Sequence, residues 1–125
     1  ICEYVKYLGI YKNIECLLPY AHLVIQPSEH ESFGLVPLEA MVCGVPVVAT
    51  ASGGICEVVE HGETGYLCNV GDIDAMAACA IAILSDSKKA ETMGNKGRER
   101  AYRLFSRDKI VSQYEMLYQE VLKRG

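Results

Sequence analysis

Short apolar runs alternate with longer amphipathic stretches along the chain. "YVKYLGI" (4–10) reads as a strand, and "NIECLLPYA" (13–21) as a short helix weakened near Pro19. "HLVIQP" (22–27) is a second strand, and "GLVPLEAMVCG" (34–44) a helix closed by Gly44. The β-branched "VPVVAT" (45–50) has the pattern of a strand buried on both faces. "ICEVVEHGETG" (55–65) predicts a helical turn and a loop, and "GYLCNV" (65–70) a last strand. "DIDAMAACAIAILSD" (72–86) is a nearly all-apolar helix, and two more helices are predicted over 87–104 and 106–123.

Alternation of this kind predicts an α/β fold, a parallel sheet flanked by helices. The final helix carries Ile110, Tyr114, Leu117 and Val121, with Val111, Tyr118 and Leu122 beside them. That spacing makes one broad apolar stripe. It is expected either to pack on its own domain or to reach across to a missing neighbour.

The 125 residues suffice for one domain with a core, and half of them are hydrophobic. The formal net charge of −4 supplies no basic field for nucleic acid or anionic lipid. No apolar run has the length of a membrane span, and no leader pattern opens the sequence, so a cytoplasmic protein is expected. The first residue is Ile rather than Met, which suggests a piece of something longer. Cys2, Cys16, Cys43, Cys56, Cys68 and Cys79 contain no C-x-x-C pair, and several sit in apolar runs. Reduced thiols packed as small hydrophobes in a reducing compartment are therefore expected, and no zinc site.

The chemistry concentrates in "SEHESFGLVPLEAM" (28–41). Ligands of open parallel sheets sit beyond the carboxyl ends of strands, where loops lead into helices. Here the loop after 22–27 enters a helix near Gly34, whose first amides lack intrahelical partners. Gly34 is expected to let a ligand approach the backbone, giving a phosphate seat. Glu39 lies about five residues, or about 7 Å, into that helix. A carboxylate only accepts hydrogen bonds, and a vicinal diol offers two donors. Glu31, in the loop, suits a second sugar on the other side of the seat. The order reads sugar, phosphates, ribose: a nucleotide sugar. From the chemistry alone, a solvent-facing Glu39 and an ordinary loop acid at Glu31 fit the pattern as well.

"EHESFGLVPLEAM" resembles the E-x7-E motif of retaining GT-B glycosyltransferases of family 4, and "VPVVATASGGICEVVEHGETGYLCNVGD" resembles that family's next segment. The tail "MGNKGRERAYRLFSRDKIVSQYEMLYQEVL" is similar to the branch that works in bacillithiol assembly. The resemblance implies the Rossmann-like C-terminal domain of such an enzyme, incomplete at its N-terminal side. Residues 1–105 would be a partial nucleotide-sugar-binding domain. Residues 106–125 would be a C-terminal helix, with packing toward the missing first domain as one option. The implied reaction moves N-acetylglucosamine from UDP-N-acetylglucosamine to L-malate or a similar small hydroxy acid, without cofactor or metal. Another donor or acceptor within the family, an inactive nucleotide-sugar-binding module and a purely structural lobe remain alternatives.

The resemblance also implies roles. Glu31 would be the catalytic-site acid and, with the backbone of Phe33 and Gly34, would meet the transferred sugar. The amides of Leu35 and Val36 would meet the diphosphate, and Glu39 the ribose. Gly9, Ile10 and Tyr11, up to Lys12, would lie near the uracil. The acceptor site, and the Arg and Lys that neutralise the diphosphate, would lie upstream of residue 1. The family's first two strands of this domain would leave a gap in the sheet between 4–10 and 22–27. The implied partners are a nucleotide sugar, a small acceptor and the first GT-B domain, with a homo-oligomer left open. Cys56 stands where the family usually has Pro, and Val42 where it usually has Ala.

Other signals are weaker. Asp72-x-Asp74 could suggest a metal, but it opens a helix, where Asp72 is a natural N-cap. His22, His30 and His61 lack metal-ligand spacing; His30, in the motif loop, is read as a loop polar residue rather than a partner of the leaving phosphate. "SGG" (52–54) is read as a turn, compatible with a second backbone seat. "NKGRERAYR" carries four basic residues and reads as a charge run on an exposed helix.

Overall fold

The computed structural model describes residues 3–124. Three parallel strands stand in the order β1 (Val24–Gln26), β2 (Val47–Thr50), β3 (Gly65–Cys68). Five helices accompany them: α1 (Leu35–Val42), α2 (Ile55–Val58), α3 (Ile73–Leu84), α4 (Ser87–Phe105) and α5 (Arg107–Arg124). Val24 pairs with Val47 and Gln26 with Ala49; Val47 pairs with Gly65 and Thr50 with Cys68. Because all three strands run the same way, the loops after β1, β2 and β3 emerge at one end of the sheet.

β2 is buried along its whole length, in keeping with its largely β-branched sequence. Its alternate residues feed two cores. Val47 and Ala49 join Met41, Ile55, Val58 and Ala101 on the face covered by α1, α2 and α4. Val48 joins Cys68, Met76, Ile83 and Met93 on the face covered by α3.

α1 closes as its glycine predicts. The Gly44 N–H donates to the Met41 carbonyl and the Val45 N–H to the Ala40 carbonyl, both at 2.9 Å, with Gly44 at φ +74°. Asp72 caps α3 by accepting from the Ala75 N–H at 3.0 Å, so the D-x-D pair is a helix start. Residues 13–21 form two 3-10 turns, Ile14–Cys16 and Leu18–Tyr20, rather than one helix, with Pro19 inside the second.

Three expectations need correction. Residues 4–10 form no strand: Tyr4, Tyr7 and Ile10 are almost fully exposed. An apolar run becomes a strand only where a neighbour completes its ladder and its faces. Among the described residues β1 pairs with β2 alone, so its other edge, where the two missing strands were expected, is open. The cysteines are less uniformly packed than expected. The five described ones are free, but Cys16 and Cys56 are exposed and only Cys68 is buried; Cys2 lies outside the described residues. Burial pushes the Cys68 thiol up to about 11, helped by its contact with Cys79 at 4.0 Å. Finally, the basic stretch of α4 is not simply a solvated face. Arg98 donates to the Cys43 carbonyl at the end of α1, at 2.9 Å. Arg100 donates to the Val58 and Glu57 carbonyls at the end of α2, at 2.9 and 3.0 Å, and pairs with Glu60. These guanidinium groups satisfy carbonyls that a helix terminus leaves without partners.

Candidate donor site

The loop after β1 is folded around Glu31. One oxygen of its carboxylate accepts from the side-chain amide of Gln26, at the end of β1, at 2.8 Å. The other accepts from the N–H groups of Phe33 and Gly34, at 3.4 and 3.3 Å. Glu31 and these two amides are thus brought together, as expected, but here they are each other's partners.

The turn after β2 buttresses this loop from behind. The Thr50 hydroxyl donates to the Ser28 carbonyl, the Ser52 hydroxyl to the Glu29 carbonyl at 2.9 Å, and the Gly54 N–H to the Glu31 carbonyl at 3.3 Å. Gly53 has φ +51°, and a Cβ there would lie 1.7 Å from the Glu31 carbonyl oxygen. The "SGG" segment is therefore a turn with a structural task. Gly34 has a structural task as well. At φ +73° it would point a Cβ at Ile55, 3.1 Å from its Cα, so the missing side chain makes room for α2. The N–H of Cys56 donates to the Gly53 carbonyl at 3.3 Å, a bond that Pro at this position could not make.

α1 opens with two orphan amides. Among the described residues, the N–H groups of Leu35 and Val36 have no acceptor. Pro37 has no N–H to offer, and the Leu38 N–H is bonded to the Gly34 carbonyl at 3.1 Å. The helix thus presents the two donors expected to meet a diphosphate. One face of α1 is left uncovered: Leu35, Val36, Glu39 and Val42 are all exposed, whereas Pro37, Ala40 and Met41 are buried. Val42 is therefore on the open face, not in the core. Glu39 stands four residues past Leu35, about 6 Å along the axis. Among the described residues its carboxylate has no hydrogen-bond or ion-pair partner.

Two cavities flank this face. One, of about 220 Å³, lies beside Glu39, between Glu15 and Leu18 of the 3-10 turns and Leu38, Val42 and Cys43 of α1. The other, of about 460 Å³, runs from Phe33 and Leu35 to Val58, Phe105 and Ile110. Phe33 itself is largely exposed. Gly9, Ile10 and Tyr11 lie on the irregular exposed segment ahead of the 3-10 turns, and no hydrogen bond joins them to Glu31 or Glu39. His30 is exposed, and His61 is occupied in accepting from the Leu67 N–H at 3.0 Å. Among the described residues, no group of three or more His, Cys, Asp or Glu side chains converges to hold a metal, and no helix is long and apolar enough to cross a membrane.

Sequence reasoning missed Gln26 and Thr50, and the acceptors of Ser52, Arg98 and Arg100. For Gln26 there was a signal: one amide at the end of an otherwise apolar strand. The arginines gave none, because their acceptors lie 55 and 42 residues away in the chain.

The chain is similar to known proteins in sequence and in fold. Residues 2–100 match the family described as "Glycosyl transferases group 1". The chain is 50% identical over 119 residues to N-acetyl-alpha-D-glucosaminyl L-malate synthase from Bacillus anthracis, covering 95% of this chain and 31% of that one. Among solved structures, Anabaena HepE in complex with UDP superposes with a TM-score of 0.90 at 34% identity, over 94% of this chain and 33% of that one. The complex of HepE with UDP-glucose gives a TM-score of 0.84 at 35% identity, over 91% and 32%. The chain thus spans about a third of the length of these proteins, and its parallel α/β fold is that of the C-terminal domain of GT-B enzymes.

Proposed function

From the premise that the chain belongs to the group 1 glycosyltransferases, we propose that it is the donor-binding part of a retaining enzyme that uses UDP-N-acetylglucosamine. L-malate or a similar small hydroxy acid is the acceptor in this reading, which draws on the name of the Bacillus anthracis relative. The observation that carries it is the order of groups along one open edge: Glu31, the free amides of Leu35 and Val36, then an unpartnered Glu39 on an exposed face.

Each group suits one part of such a donor. The two amides and the helix dipole favour the diphosphate and the negative charge that grows on it as the sugar leaves. Glu39 accepts from the ribose diol. Glu31, with Phe33 and Gly34, faces the hydroxyls of the transferred sugar, and residues 9–11 fall on the nucleobase side. The acceptor and its base belong to a first domain. The exposed stripe of α5, which buries none of its residues, is read as reaching toward that domain. Positioning of donor against acceptor supplies much of the rate in such a transfer, so this segment alone is expected to bind without turning over.

Calorimetry of UDP binding to the intact protein tests the assignment. Glu39→Ala is expected to weaken binding by roughly 1.5–3 kcal/mol, the range for hydrogen bonds to a charged group. Glu39→Gln is expected to lose less, because an amide oxygen still accepts. Unchanged UDP affinity in the Ala variant would overturn the reading.

A further inference from the structure

β1 is apolar through Leu23, Val24 and Ile25 and then ends on an amide, Gln26. Strand alternation places Gln26 on the same side as Val24, which packs into the core beneath α1. Its NH2 group lies 2.8 Å from a Glu31 carboxylate oxygen and 3.2 Å from the Ser28 hydroxyl. A carboxylate has only lone pairs to offer, so it dictates which way the amide faces. The other end of Gln26 suffers for it: its Oε1 is fully buried and, among the described residues, without a donor. A buried acceptor without a partner destabilises a fold, and an apolar side chain of similar size would remove that cost. A local rule broken in this way, beside the proposed sugar-binding acid, marks a group retained for something other than stability.

We infer that Gln26 is a positioning residue for Glu31: it fixes the carboxylate in place so that its other oxygen and the Phe33 and Gly34 amides form one preset edge for the hydroxyls of the transferred sugar. The inference rests on the donor reading above and extends it to a residue outside the E-x7-E motif. Gln26 acts on the sugar end of the donor alone, because the Leu35 and Val36 amides and Glu39 are held by α1, without help from Gln26. It touches no reacting atom; its effect passes through Glu31.

The test uses the intact protein, with UDP and UDP-N-acetylglucosamine as probes and Gln26→Met as the variant closest in shape that lacks the donor. The expected result has three parts. Transfer from UDP-N-acetylglucosamine falls about tenfold in kcat/KM, the scale of a loosened active-site group. UDP affinity stays at the wild-type value, and the thermal midpoint stays level or rises because the orphan oxygen is gone. In a double-mutant cycle, adding Gln26→Met to Glu31→Ala costs nothing further. Gln26→Leu repeats the series should the Met variant fold poorly. Unchanged kcat/KM in a folded variant, an equal loss of UDP affinity, or additivity with Glu31→Ala would each overturn the inference while leaving the donor reading intact. A wild-type protein that binds neither probe would overturn both.

Discussion

Met41 and Leu117 are both large apolar residues on helices, yet Met41 is fully buried and Leu117 is 53% exposed. Around Met41 the fold closes from several sides: β2 lies beneath, Ile55 and Val58 of α2 lie alongside, and Ala101 of α4 joins the same cluster. Around Leu117 nothing comparable gathers, and α5 buries none of its residues. The stripe on a helix says which side favours burial. It does not say which partner provides it: α1 has β2, α2 and α4 against it, whereas α5 buries none of its residues.

That contrast can be broken or sharpened by substitution. The largest effect is expected at Gly53, behind the Glu31 loop. In Gly53→Ala the new Cβ meets the Glu31 carbonyl at 1.7 Å on a left-handed backbone. Unfolding in urea should show a loss of about 4 kcal/mol or more, the exceptional class for one substitution. A loss under about 1 kcal/mol would mean that the buttress is pliable and the Glu31 region less fixed than α1. Met41→Ala comes next, at about 2–5 kcal/mol for a fully buried side chain. Leu117→Ala should be the smallest: in the chain of residues 1–125, within about 0.5 kcal/mol of wild type. A loss above about 1 kcal/mol there would show that α5 packs on its own domain after all, and the contrast would disappear.

Most of the architecture was legible because it follows from local pattern. The apolar, largely β-branched run at residues 45–50 reads as a strand buried on both faces, Gly44 as the end of a helix, and Asp72 as the start of one. The E-x7-E spacing also placed both acids correctly, one in the loop and one on the helix face. What escaped was set by distant partners. Residues 4–10 have a strand's composition and no ladder to join. That Gly34 also makes room for α2 depends on Ile55, 21 residues further along the chain. The bond from Gln26 to Glu31 spans five residues, but its cost, a buried orphan oxygen, depends on the packing of β1 beneath α1.

The bond from Arg98 to the Cys43 carbonyl has an electrical consequence at the opposite end of α1. The helix has eight residues and so is about 12 Å long. In a helix this short, the negative pole lies close enough to its amide end to cancel part of the pull on an anion there. The guanidinium group placed on that pole offsets it with a full positive charge from another helix. The amide end of α1 then acts toward an anion as if it belonged to a longer helix whose far pole had receded. A short element that must turn sharply at Gly44 to feed β2 keeps the field of a long one, and the charge responsible is contributed from 55 residues further along the chain.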